Sequence, residues 1–187
     1  MKKLFPFLLL LAVLSLVGAC TKKDSAPLIK TQKELISAHV WIGDSITPNV
    51  TTTFPIVPAQ IAAGLAAASV PRSNKTAALE FKTTNDAIVY ARDSISGTLS
   101  NPQTTPYTID ETTKKVTFTS VDAFIPVELS VLLATANVVL PKTWDIQTLD
   151  DTRLRLYAEV TTNIPITTPL GPANVPILLK IKLSFKK

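Results

Sequence analysis

Few side chains in this chain could do acid–base or nucleophilic chemistry, and they are scattered. One histidine, His39, and one cysteine, Cys20, occur among 187 residues. Protein metal centres of the zinc type draw on clusters of His and Cys, so such a centre has almost no ligands here. A Ser-His-Asp triad would have to use His39, which stands two residues from Trp41 in an alternating stretch. A packed or edge imidazole is the expected role there. The 5 glycines are dispersed and form no phosphate-cradling loop. Asp150-Asp151 sits between two strand-like stretches, where adjacent aspartates are ordinary turn chemistry. Glu80 and Glu159 fall on outward sides of alternating stretches, and Trp41 and Trp144 on apolar sides, which makes the indoles core rather than sugar platforms. The expectation is a protein with no catalytic residue, no metal and no cofactor, and not an enzyme.

Cys20 differs because of what precedes it. Lys2 and Lys3 are followed by the almost wholly apolar run Leu4 to Leu16, and then by Val17-Gly18-Ala19-Cys20. That run is too short for a normal membrane-spanning helix and leads to small residues, the form of a secretory leader. The four residues ending at Cys20 resemble the lipobox of bacterial lipoproteins. The resemblance implies lipidation of the Cys20 thiol and cleavage before it, so that the acylated cysteine becomes the N-terminus. An ordinary secretory leader with an incidental Cys is the alternative. The only cysteine falling at the one required position favours the lipobox. Residues 1–19 are then the leader, 20–30 the lipidated Cys and a flexible tether, and 31–187 a β-domain. Thr21 rather than Asp after the cysteine resembles the sorting pattern of outer-membrane lipoproteins, and Lys22-Lys23-Asp24 loosely resembles a charged surface-export tether.

Cleavage would leave 168 of the 187 residues, enough for one domain with a sizeable core. Losing Lys2 and Lys3 takes the net charge from +5 to +3, with no Lys/Arg cluster, so nucleic acid is not an expected partner. With Cys20 acylated no disulfide forms, and stability must come from packing. Fourteen prolines and many Thr, Val and Ile favour strands and constrained loops over a helical bundle.

The elements that must position any site are legible as alternation. Thr31 and Glu34 have the spacing of a capping box for a short helical turn over 32–36. Eight strands follow: Ser37–Ile46, Ala77–Thr83, Ala87–Arg92, Thr105–Asp110, Lys115–Thr119, Trp144–Leu149, Arg153–Thr161 and Pro176–Lys186. The last alternates most cleanly, with Ile177, Leu179, Ile181, Leu183 and Phe185 against Lys180, Lys182, Ser184 and Lys186; Leu178 is the exception. Strands with one apolar face need it covered. An eight-stranded antiparallel up-and-down barrel achieves this and removes the open edges. A two-sheet β-sandwich satisfies the same alternation. Phe81, Tyr90, Tyr107, Phe118, Trp144 and Leu183 are the expected large inward residues.

The strand motifs carry a resemblance. Lys33-Glu34-Leu35-Ile36 followed by Trp41, Ala78-Leu79-Glu80-Phe81 before an Asn-Asp turn, Pro106-Tyr107-Thr108-Ile109-Asp110, Val116-Thr117-Phe118, and the run from Trp144 to Leu156 are similar to the lipocalin-like domain of small Bacteroidetes lipoproteins. The resemblance spans Thr31 to Phe185 and implies a lipocalin-like barrel. The chain lacks the Gly-x-Trp opening of true lipocalins, having His39 and Val40 before Trp41.

Three apolar, Pro-bounded insertions interrupt the meander. Phe54 to Pro71 has an Ala-rich centre at helical spacing. Ala123 to Pro141 fits helical spacing through Leu129, Leu132, Leu133 and Ala136, and extended chain through Val131, Val138 and Val139. Ile164 to Val175, with three prolines, is expected as an irregular loop. In an up-and-down meander these are connections one, five and seven, all at one end. Long apolar loops bury something or bind something. They form either a plug or the lining of a mouth, with Phe54, Ile56, Ile61, Leu65, Val131, Leu132, Ile164, Ile166 and Leu170 as its apolar residues. The expected partners are the outer membrane through the N-terminal lipid and a small apolar ligand, or alternatively another envelope protein docked on the loops. Cys20→Ser should release the protein from membranes on fractionation at high salt; a variant that stays with the outer membrane would refute the anchor.

Overall fold

The computed structural model describes residues 30–53, 59–122, 138–168 and 171–187. Helix α1 (Gln32–Ile36) leads into strand β1 (Val40–Thr52), followed by helix α2 (Ala59–Ala68) and the short β2 (Arg72–Ser73). Then come β3 (Ala77–Phe81), β4 (Asp86–Arg92), β5 (Leu99–Asp110), β6 (Lys115–Phe118), β7 (Thr143–Leu149), β8 (Arg153–Thr168) and β9 (Gly171–Lys186). From β3 to β9 each strand pairs antiparallel with the next. β1 pairs with β3 along one edge and with β9 along the other, from Ile42↔Lys186 to Thr52↔Ile177. The sheet therefore closes into an eight-stranded up-and-down barrel of lipocalin-like form, and β2 is a two-residue addition beside β1. The sandwich alternative falls away because the last strand pairs with the first.

Alternation decides the interior. Trp41, Ile46, Leu79, Phe81, Val116, Phe118, Trp144, Leu154, Leu156, Ile181 and Leu183 are all fully or almost fully buried in one cluster. Phe81 packs edge-on against Tyr107, with centroids 4.9 Å apart. The outer face is polar. Lys115 pairs with Asp145 at 3.5 Å, Lys180 with Glu159 at 3.8 Å and Lys186 with Asp44 at 3.3 Å, all half exposed. Each such pair contributes little to stability. Together they mark a wall that faces water, since a cation on a lipid-facing barrel wall costs about 2–4 kcal/mol at the bilayer midplane.

One backbone approach needs a glycine. A Cβ on Gly43 would collide with the carbonyl oxygen of Asn74, at the point where the β1–β9 register shifts between Gly43 and Ser45. Asn74 is buried there and its amide donates to the Asp44 carbonyl at 3.2 Å.

Several expectations are corrected. The third insertion is no irregular loop: β8 and β9 remain paired from Asn163↔Pro176 to Thr168↔Gly171 and form a two-stranded arm. Its prolines permit this because Pro165, Pro172 and Pro176 all fall in alternate cross-strand pairs. The Pro176 carbonyl accepts from Thr52 Oγ1 at 2.6 Å, so backbone groups of that class turn away from the β8–β9 ladder, where a missing N–H costs no rung. Tyr90 is not inward. Ala87 and Val89 take the buried face of β4, while the Tyr90 hydroxyl donates to Glu80 Oε2 at 2.8 Å on the outer wall. Glu80 also pairs with Lys82, so it is bonded rather than merely solvated. β1 runs on through Pro48 to Thr52, and β5 begins at Leu99 rather than Thr105.

Leu156→Ala should cost about 2–5 kcal/mol in a denaturant titration, as for other fully buried leucines. A loss below about 0.5 kcal/mol would place Leu156 on the surface instead.

Candidate functional site

The two ends of the barrel differ. One end is closed. Thr31 caps α1, its hydroxyl accepting from the Glu34 amide at 3.1 Å while Glu34 Oε2 accepts from the Thr31 amide at 2.7 Å. The helix delivers Ile36 into the core, and the Trp41 indole N–H donates to the Ile36 carbonyl at 2.6 Å. Lys33 reaches two of the tight turns at this end, its amide donating to Glu111 at 3.3 Å and its Nζ to Asn85 at 2.8 Å. Lys30 reaches the third, pairing with Asp151 at 3.1 Å. The expected turn role of Asp150-Asp151 is what the structure shows: Asp150 Oδ1 accepts from the Thr152 and Arg153 amides, both at 2.8 Å.

The opposite end is the candidate site. It carries α2, the β4–β5 connection, the flanks of the second insertion and the β8–β9 arm. α2 contains no charged residue, yet Ala59, Ala62, Ala63, Ala66 and Ala67 are exposed. The helix is held through its C-terminal turn, where Ser69 Oγ accepts from the Val50 amide at 2.9 Å and donates to the Leu65 carbonyl at 2.9 Å. The 93–98 connection is a built loop. Asp93 Oδ1 accepts from the Ile95 and Ser96 amides at 2.8 and 2.7 Å, and Gly97 takes φ +75°. Those amide bonds hold the Asp93 carboxyl below its ordinary value. The loop displays Ile95 at 97% exposure. At the second insertion, Thr105 Oγ1 accepts from the Ser120 amide at 3.0 Å and donates to its carbonyl at 3.2 Å, and Val121 and Leu140 are buried on either flank. Val50, Val138 and Val160 lie partly buried against the core. The exposed large hydrophobics among the described residues are Val70, Ile95, Leu99 and Val139, and all four belong to this end.

Of the residues expected to line a mouth, Leu65 and Ile164 are half-buried, on α2 and on the β8 arm. Ile164 is thus a strand residue, not a loop residue. Ile61 and Ile166 have their backbones on α2 and β8, and their side chains lie outside the described residues. Phe54, Ile56, Val131, Leu132 and Leu170, with the lipidation residue Cys20, also lie outside them. Val50 and Ile95 were not singled out by pattern, whereas Val160 continues the apolar face of Leu154, Leu156 and Ala158. Pro48 obscures the continuing alternation Ile46, Pro48, Val50, and a lone Ile between Ser94 and Ser96 has no periodic signal.

The chemistry of the rest is structural. His39 lies edge-on to Trp41, 5.7 Å between centroids, and its buried Nε2 has no hydrogen-bond partner. The Tyr157 hydroxyl is pushed up to about 12 by burial and by its bond to Glu159, so it stays protonated at neutral pH. Among the described residues no group of three or more His, Cys, Asp or Glu side chains stands together to hold a metal.

At the closed end, Asp150 is held below its ordinary value by the Thr152 hydroxyl and then by the turn amides, and Asp110 likewise by Thr113. A carboxyl lowered in the folded state stabilises fully above its unfolded value of 3.8 and loses that contribution as pH falls toward the folded value. Thermal midpoints should therefore decline between about pH 5 and about pH 3, and less steeply in Asp150→Asn, which keeps the acceptor oxygen but does not titrate. Equal slopes would remove this turn as a source of the acid sensitivity.

Comparison of the chain with protein-family models, with curated proteins and with solved structures found no match.

Proposed function

We propose that this chain is a lipid-anchored outer-membrane protein, acylated at Cys20, whose barrel binds a small uncharged apolar molecule at its open end and catalyses no reaction. The observation that carries the binding reading is where the apolar surface lies. Among the described residues, the exposed large hydrophobics gather at one end, around an uncharged helix, while the walls carry ion pairs. Interiors of eight-stranded barrels hold side chains or one small ligand. Here two tryptophans, three phenylalanines and a ring of Leu and Ile fill the interior, which leaves the rim as the place for a guest. Glu128 is the one charged residue in the sequences of the three insertions, so a lipid tail or a terpenoid fits the rim better than a sugar or a nucleotide. Ile95, displayed on a loop braced by Asp93, favours a second reading: docking of the rim onto another envelope protein.

The test titrates fatty acids and an environment-sensitive apolar dye against the protein from Thr21 onward, which contains every described element. Trp41 and Trp144 fluorescence reports the fold. Saturable binding that disappears when Leu65 and Leu132 become Asp, with the fold intact, supports the ligand reading. Absence of binding at micromolar concentration, with a large loss of stability in that double variant, makes the insertions a plug and favours the docking reading.

A further inference from the structure

The closed end is also the end at which the chain enters the fold. Lys30 is tied there to Asp151, and the next residues form the capped helix that plugs the barrel. Only ten residue steps separate Cys20 from Lys30. Fully extended, they span at most about 33–36 Å. The opposite end stands far from that point. β8 and β9 are each 16 residues long. At about 3.3 Å per residue and the usual barrel tilt of about 35–45°, they rise about 40 Å along the axis. In an inverted barrel the arm would meet the bilayer first and hold Lys30 about 40 Å above it, beyond the full reach of the chain from Cys20.

We propose that in the anchored protein the plugged end faces the membrane and the open, apolar end is held away from it, so that whatever binds the rim arrives through water and not from the anchoring bilayer. This rests on the lipid anchor at Cys20. Among the described residues the plugged end presents polar turns, exposing Asn85, Glu111, Thr112, Lys114 and Asp151, whereas the exposed large hydrophobics Val70, Ile95, Leu99 and Val139 belong to the far end. The rim is then positioned to take an apolar molecule, or a partner's apolar surface, from the aqueous compartment that the barrel faces.

The chain's own chemistry allows a direct test. Its single cysteine is the acylated one, so a cysteine introduced elsewhere is the only free thiol. A donor dye is placed in the full-length acylated protein at Thr112→Cys, in a closed-end turn, or at Ile95→Cys, at the open end. Each protein is reconstituted into vesicles carrying a headgroup acceptor dye. Energy transfer should be greater from position 112 than from position 95. Equal transfer would mean a barrel lying on its side, and greater transfer from 95 an inverted one; either overturns the proposal. Vesicle flotation of the acylated protein and of Cys20→Ser separates the two readings. If both float equally, the anchor fails and the orientation with it. If only the acylated protein floats and the transfer order is reversed, the orientation alone is wrong.

Discussion

The pairing of β1 with β9 is the constraint on which the rest depends. It joins the first strand of the domain to the last, from Ile42↔Lys186 to Thr52↔Ile177, and turns a meander with two raw edges into a closed wall. Closure gives the apolar faces of eight strands one common interior. Without it Ile181, Leu183 and Phe185 would lie on an open edge; with it they are buried beside Trp41 and Ile46. It is also the most non-local pairing in the chain, and its loop-closure entropy is met only once the intervening hairpins have formed. The other pairings in the wall are between successive strands, so hairpins are available early and the β1–β9 seam completes the cylinder.

Closure leaves two ends to manage, and the chain treats them differently. One is sealed by five helical residues, an indole–carbonyl bond and polar ties from Lys30 and Lys33 to three turns. The other is given length and apolar surface. α2 hangs from Ser69, the 93–98 loop displays an isoleucine, and β8 and β9 continue past their neighbours as an arm. The arm survives as a two-stranded ribbon because its prolines stand where the amide would have pointed outward. Those same positions remove outward donors from its edges, which discourages pairing with another chain.

The interior is filled with large side chains and the walls carry ion pairs, which is why the proposed ligand is assigned to the open rim. Lys30, where the chain enters the fold, and the proposed rim lie at opposite ends of the wall. Among the described residues, several titratable groups of the chain are engaged within the fold. Its one imidazole leans on Trp41, Tyr157 holds its proton, and its lowered aspartates are engaged in turns.

The sequence by itself determined the strands and their faces, because burial on one side of a pleat imposes a period of two that survives in Leu154, Leu156 and Ala158 or in Ile177 through Phe185. It also determined the capping box at Thr31 and the turn at Asp150, since both are made by groups within a few residues of one another. Local pattern was misleading where tertiary partners decide. Tyr90 alternates correctly with Ile88, yet its face was assigned wrongly, because alternation states that two faces exist and not which one is inside. The prolines of the arm suggest a loop until the register shows that their missing donors point away from the ladder. Barrel rather than sandwich, and the place of Ile95 and Leu99 beside the insertions that hold Val70 and Val139, were left to the tertiary structure. The first follows from the seam between β1 and β9, a contact between residues more than a hundred positions apart that no local period records.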